Sequence, residues 1–136
     1  MNTFQAHILA ADKNFYEGPC VSLTIPTSDG EQGILAHHSD MISAIRPGML
    51  RYQVPDGPVR LAAVSSGMVK IAKNDVMVLV DSVERPEEID AARAQREADE
   101  AREAMLQRRS RQEYQLAQAT LARAMNRLRV KAREIS

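Results

Sequence analysis

The sequence predicts an all-β N-terminal domain, a sandwich or flattened barrel, followed by an antiparallel two-helix hairpin. Three observations predict it. First, all six glycines and all six prolines lie at or before Pro86. Second, nine of the ten valines share that region, whereas residues 87–136 carry eleven alanines, ten arginines and one lysine. Third, the apolar spacing changes from alternation to steps of three and four. Glycine and proline punctuate turns and valine suits strands, while alanine and arginine are good helix formers. The boundary is therefore set at 1–85 for the β domain and 86–136 for the hairpin.

Along the first part, Phe4, Ala6, Ile8 and Ala10 alternate with more polar neighbours, as do Val21, Leu23 and Ile25. Leu50, Tyr52 and Val54, then Val59, Leu61 and Ala63, repeat the alternation. Period two puts one set of side chains on one face of a strand. The nearly unbroken run Asp75 to Val80 reads as a central strand. Between these runs stand Ser28-Asp29-Gly30, Arg46-Pro47-Gly48, Pro55-Asp56-Gly57-Pro58 and Lys73-Asn74-Asp75, all turn-forming chemistry. Strands at this spacing suit a sandwich or barrel.

The second part opens at Pro86 with Glu87, Glu88 and Asp90, acids that complement the dipole of a first helical turn. Ala91, Ala94, Ala98, Ala101 and Met105 form one helical face, and Tyr114, Ala117, Leu121, Ala124 and Leu128 form a second. Helices over about 87–107 and about 112–132 follow, joined near Arg108-Arg109-Ser110-Arg111-Gln112. Antiparallel pairing sets Ala98 opposite Leu121 and brings Asp90 and Arg93 beside Arg123 and Arg127. A seam of methyl groups, each worth about 0.8 kcal/mol at best, makes the hairpin marginal by itself and points to a movable arm.

With 18 basic and 18 acidic side chains the net charge is zero, which removes any global argument for nucleic-acid or membrane binding. No run approaches the roughly 20 apolar residues of a membrane span. The N-terminus has no basic region ahead of an apolar run, so no secretory signal is expected, and the single Cys20 fits a reducing compartment. The expectation is a soluble intracellular protein. Charge is distributed unevenly within the hairpin: 87–103 hold seven acids against three arginines, and 108–133 hold eight bases against one acid. That pattern has three readings. It is a structural pairing of acidic and basic helices, an arginine clamp for phosphate, or a basic docking surface.

Catalytic signals are thin. There is no phosphate-binding Gly-x-x-x-x-Gly-Lys loop, no dinucleotide glycine motif and no paired-cysteine metal motif. His37-His38-Ser39-Asp40 collects nucleophile and base types, but adjacency in sequence is not triad geometry. His7 falls on the polar side of its strand, and Cys20 reads as a small buried side chain. The chain is expected not to be an enzyme by itself.

Several segments, in order along the chain, resemble the epsilon subunit of the bacterial F-type ATP synthase. They are Ser28-Asp29-Gly30-Glu31-Gln32-Gly33-Ile34-Leu35 with His38 following, Ala44 to Arg51 around Pro47-Gly48, Ser66-Gly67, and the strand Val76 to Val83. In the hairpin, Ile89-Asp90-Ala91-Ala92-Arg93-Ala94 is similar to the family's ATP-binding motif, and Arg123-Ala124-Met125-Asn126-Arg127-Leu128 resembles its second-helix phosphate segment. The resemblance implies a regulatory, non-catalytic central-stalk subunit of a proton-translocating synthase, turning with the gamma subunit on the c-ring and inhibiting ATP hydrolysis through its helices. It implies a peripheral position on the cytoplasmic face of the bacterial inner membrane.

By the same resemblance Glu31 lies in a loop region facing the c-ring and His38 lies near gamma. Arg108, Arg109 and Arg111 face the alpha and beta subunits when the hairpin extends. No cofactor is required, but regulatory ATP is implied at Glu84, Ile89, Asp90, Arg93, Arg123 and Arg127. Two departures stand out. Glu100 occupies a place where ATP-binding members carry another arginine, which opposes phosphate binding. His37, Ser39 and Asp40 replace the small residues and proline usual around the family's histidine. The alternative from a different class is a free-standing ATP sensor or adaptor using the same hairpin.

Overall fold

The computed structural model describes residues 2–107 and 110–135, with the side chains of Glu134 and Ile135 left aside. It resolves into two compact units, Met1–Glu84 and Arg85–Ser136. Among the described residues, the first unit holds ten strands: β1 (Phe4–Ala10), β2 (Lys13–Cys20), β3 (Ser22–Thr27), β4 (Gly30–Leu35), β5 (Met41–Ile45), β6 (Gly48–Gln53), β7 (Val59–Val64), β8 (Gly67–Ala72), β9 (Asp75–Val80) and β10 (Val83–Glu84). They form two five-stranded sheets, β2-β1-β9-β8-β5 and β10-β7-β6-β3-β4. β1 runs parallel to β9, and the other pairings are antiparallel.

The alternation read from the sequence becomes the core. Phe4, Ala6 and Ile8 from β1 and Val76, Val78 and Val80 from β9 share one buried cluster with Leu23, Ile25, Ile34, Leu50 and Tyr52 of the other sheet. Two inner faces closing on one apolar layer make the β-sandwich. The expected turns hold. Lys73 and Asn74, both at positive φ (51° and 63°), make the two-residue link between Ala72 and Asp75, a backbone handedness that matches strand twist. Five strands lie outside the runs picked out in the sequence: β2, β4, β5, β8 and the two-residue β10. The first three are sheet edges, which explains why β2 accommodates Gly18-Pro19 and β4 accommodates Gly30 and Gly33.

The second unit begins with a short 3-10 turn, Pro86–Glu88, followed by α1 (Ala91–Gln107) and α2 (Arg111–Ile135). The first helix thus starts at Ala91, not near residue 87. Asp90 is the reason: its carboxylate accepts the Arg93 backbone N–H at 3.1 Å, capping a helix that the Pro86 turn cannot enter directly. At the other junction Ser110 Oγ accepts the Glu113 N–H at 3.0 Å, so Arg111 opens α2 and is not part of the link. The buried seam is narrower than the apolar stripes: Ala94, Ala98 and Ala101 from α1, with Ala117 and Ala124 from α2. Val130 and Asn126 are also buried, and Lys131 Nζ donates to the Pro86 carbonyl at 3.0 Å.

Candidate functional site

Within the hairpin unit, the two arginines expected to lie side by side meet through a third residue. Arg93 Nε donates to Glu97 Oε1 at 3.0 Å, one helical turn along α1. Arg127 Nη1 reaches the other oxygen, Oε2, of the same carboxylate from α2 at 3.4 Å. Glu97 and Arg127 are each about two-thirds buried (31% and 30% exposed), whereas Arg93 is 73% exposed. One carboxylate therefore clasps a guanidinium from each helix. This is how the acidic and basic helices are stitched together, and it is equally an arrangement in which two cations converge on one anion.

The remaining residues of the expected phosphate site are placed as follows. Asp90 caps α1, and Ile89 is buried beside that cap. Arg123 is one turn before Arg127 on α2, and its Nη2 donates to Thr120 Oγ1 at 3.3 Å. Glu84 belongs to the other unit, on β10, where it pairs with Ala63 of β7. Glu97 was not singled out from the sequence. Its spacing of four from Arg93 was visible, but its bond to Arg127 depends on how the helices face each other. Beside Glu97 an open cavity of about 430 Å³ runs between the helices, lined by Glu100 and Glu113 together with Ala101, Ala104, Leu116 and Ala117.

In the β unit, Glu31 is a strand residue, not a loop residue. Thr27 pairs with Gly30, which confines the turn to Ser28 and Asp29, and Glu31 then faces Pro26 within β4. Its carboxylate pairs with Arg51 of β6 at 2.6 Å. His38 Nδ1 lies 2.8 Å from the Ser39 carbonyl, His37 N–H donates to Asn74 Oδ1 at 2.6 Å, and Asp40 accepts the Lys73 N–H at 3.1 Å. The His37–Asp40 segment is thus a loop fastened to the β8–β9 turn through the His37 N–H and the Asp40 carboxylate, and these bonds set no nucleophile against a base. Arg111 is exposed at the start of α2, and Arg108 and Arg109 lie outside the described residues.

The solvent side of the β2-β1-β9-β8-β5 sheet carries an apolar row. Leu9 of β1, Leu79 of β9, Met68 of β8 and Ala44 of β5 are register neighbours in one row across the sheet. Leu79 and Met68 are about 40% exposed, and Ile42, two residues before Ala44 on β5, is 67% exposed. On the same face His7 sits between two carboxylates. Its Nε2 lies 3.0 Å from Asp75 Oδ1 and its Nδ1 lies 3.4 Å from Glu17 Oε2. The hydrogen bond to Asp75 leads in holding the His7 pKa above its usual value, burial opposes it, and the Asp75 and Glu17 charges add to it. Sequence reading gave His7 no signal because Asp75 is 68 residues away and meets it only through the parallel β1–β9 register. Cys20 is fully buried, and burial pushes its thiol up to about 11, so it stays protonated near neutral pH.

Among the described residues no group of three or more His, Cys, Asp or Glu side chains is arranged to hold a metal ion, and no helix is long and apolar enough to cross a membrane.

Comparison with known proteins covers the whole of this architecture. Residues 3–86 match the family model for the β-sandwich domain of the ATP synthase delta/epsilon chain, and residues 87–132 match the model for its long α-helix domain. The ATP synthase epsilon chain of Ruminiclostridium cellulolyticum is 38% identical, over 94% of this chain and 95% of that one. The epsilon chain of Ruminococcus albus is 37% identical, over 96% and 97%. Among solved structures, a chain of the Euglena gracilis mitochondrial ATP synthase superposes with a TM-score of 0.84 at 21% identity, covering 93% of this chain and 79% of that one. A chain from the central stalk and c-ring of the Tetrahymena thermophila mitochondrial enzyme gives 0.53 at 16% identity, covering 62% and 67%, and both likenesses concern the fold. On these matches, which span both units in the same order, the chain belongs to the ATP synthase delta/epsilon chain family.

Proposed function

We propose that this chain is a non-catalytic epsilon subunit of the central stalk, coupling rotation of the c-ring and gamma subunit to ATP synthesis and restraining ATP hydrolysis through its C-terminal helices. The observation that carries the stalk role is the exposed apolar row Leu9, Leu79, Met68 and Ala44 with neighbouring Ile42. An apolar sheet face of this kind is a protein-docking surface, and in this family gamma is the occupant to expect. The His38 loop precedes β5, which carries Ile42 and Ala44, so it borders the same face. Glu31, at the opposite sheet's edge, is assigned to the c-ring side. The whole chain then works as a peripheral subunit at the cytoplasmic face of the bacterial inner membrane.

The hairpin supplies the regulatory part. Its seam buries five alanine side chains, and small side chains release little free energy when covered, so closed and open forms differ by a few kcal/mol. On opening, Arg111, with Arg108 and Arg109, is assigned to acidic surfaces of the alpha and beta subunits. Regulatory ATP is assigned to the closed hairpin at Ile89, Asp90, Arg93, Arg123 and Arg127. The fit rests on Arg93 and Arg127 already converging on one anion, the Glu97 carboxylate, where phosphate oxygens would be held by the same two guanidinium groups. No observation favours the free-standing sensor.

The test is binding to the matching alpha-beta-gamma head by the full chain and by Leu79→Glu, which puts a charge in the middle of the apolar row. Tight binding by the parent chain and a loss of about tenfold or more in the variant are expected. Equal binding by both would remove the sheet face from the interface, and no binding by the parent chain would overturn the stalk role.

A further inference from the structure

We propose that Glu97 is a built-in competitor for phosphate, holding Arg93 and Arg127 with its own carboxylate so that an anionic ligand enters the hairpin only by displacing it. The inference rests on the arginines being the anion-binding groups of the proposed regulatory site, and it adds how that site is controlled.

The geometry is specific. Both Glu97 oxygens are used, Oε1 by Arg93 Nε at 3.0 Å and Oε2 by Arg127 Nη1 at 3.4 Å, and the two guanidinium groups come from different helices. A carboxylate bridging two guanidinium groups presents paired anionic oxygens, the same kind of acceptor that a phosphate would present. The pair is partly shielded from water, so screening is weaker than at a free surface. The surroundings add to the exclusion. The cavity flanking Glu97 is walled by Glu100 and Glu113, so a polyanion approaching from that side meets like charge. That same cavity offers open space beside Glu97 into which its side chain can turn when displaced.

The consequence concerns regulation. A ligand shifts a conformational equilibrium only by its differential affinity for the two forms. With Glu97 in place the helices are clasped without nucleotide, and ATP gains only the difference between its own contacts and those it breaks. The closed hairpin of this chain is therefore held by Glu97 and is weakly sensitive to ATP.

The test uses the full chain, titrated calorimetrically with magnesium-ATP and separately with inorganic tripolyphosphate. Glu97→Gln keeps the side-chain size and removes the charge, and its affinity for both ligands is expected to rise on the order of tenfold. Adding Arg127→Ala to Glu97→Gln should abolish the gain. Glu97→Asp, which keeps the charge but shortens its reach, should fall between parent and Glu97→Gln. Helical circular dichroism of each variant establishes that the hairpin remains folded. Unchanged tripolyphosphate affinity in a folded Glu97→Gln chain overturns the competitor role, as does a gain that survives Arg127→Ala. Tight ATP binding by parent and Glu97→Gln alike would keep the ATP site and remove Glu97 from its control. A gain for tripolyphosphate with no preference for ATP would support the competitor role and remove nucleotide as the natural ligand.

Discussion

Ala98 offers the most direct handle on hairpin energetics. It is fully buried at the centre of the α1 face, between Ala94 and Ala101, and belongs to a seam to which the other helix contributes Ala117 and Ala124. Leucine adds three carbons at a point with no room: Ala98 does not line the cavity beside Glu97, whereas Ala101 and Ala117 do. Forcing extra carbons into a packed seam costs about 1–3 kcal/mol. Applied to an equilibrium between closed and open helices, that is about a 5- to 150-fold shift toward opening. Amide hydrogen exchange reads this directly, because the β unit provides an internal reference. In Ala98→Leu the amides of α1 and α2 should exchange faster by that factor while those of β1 and β9 stay unchanged. Ala101→Leu, with open volume beside it, should show a smaller acceleration. Unchanged or slower exchange in the helices of Ala98→Leu would refute the tight-seam argument. Equal effects at 98 and 101 would refute the role assigned to the cavity.

Two further outcomes concern the β unit. His7 has a folded-state pKa above its unfolded value, so its pairing contributes stability that is fully present below the usual value of about 6.5 and is lost as pH rises through the raised folded value. The difference in urea midpoint between the parent chain and His7→Gln should therefore be larger near about pH 5.5 than near about pH 8.5, and a difference that grows with pH would contradict the pairing. Gly67→Ala should destabilise the sandwich by about 2 kcal/mol or more, because an added Cβ would press on the Leu79 carbonyl oxygen and lie 2.7 Å from Val80 Cα. These are backbone atoms of the paired strand, with no flexible side chain to yield. A thermal midpoint equal to the parent's would show that β8 and β9 can separate locally without cost.

What the sequence disclosed and what it withheld divide along physical lines. The break at Pro86, the alternation of β1, β3, β6 and β7, the nearly unbroken apolar run of β9, and the two alanine faces all follow from local composition and periodicity, which a single chain displays openly. The missing strands were β2, β4 and β5 at sheet edges, where glycine, proline and polar residues blur the alternation, the edge strand β10, only two residues long, and the internal β8. Helix starts were displaced because Asp90 and Ser110 act as caps, a signal present in the sequence as Asp90 before an alanine run and Ser110 three residues before Glu113. The site was legible in part. Arg93 and Arg127 could be placed near one another from an antiparallel pairing of stripes, but Glu97 between them required the facing register of two helices. His7 with Asp75 required the register of a parallel strand pair formed across most of the domain. Such long-range registers are set by packing and leave no local pattern.

The central claim, that the chain is a stalk subunit whose helices restrain hydrolysis, is tested most directly by ATP hydrolysis in the matching ATPase head lacking this subunit. The full chain is compared with a truncation after Glu88, which retains the sandwich and its buried core. The account predicts that both bind and that only the full chain lowers the hydrolysis rate. Equal inhibition by the truncated chain, or binding by neither, would contradict it.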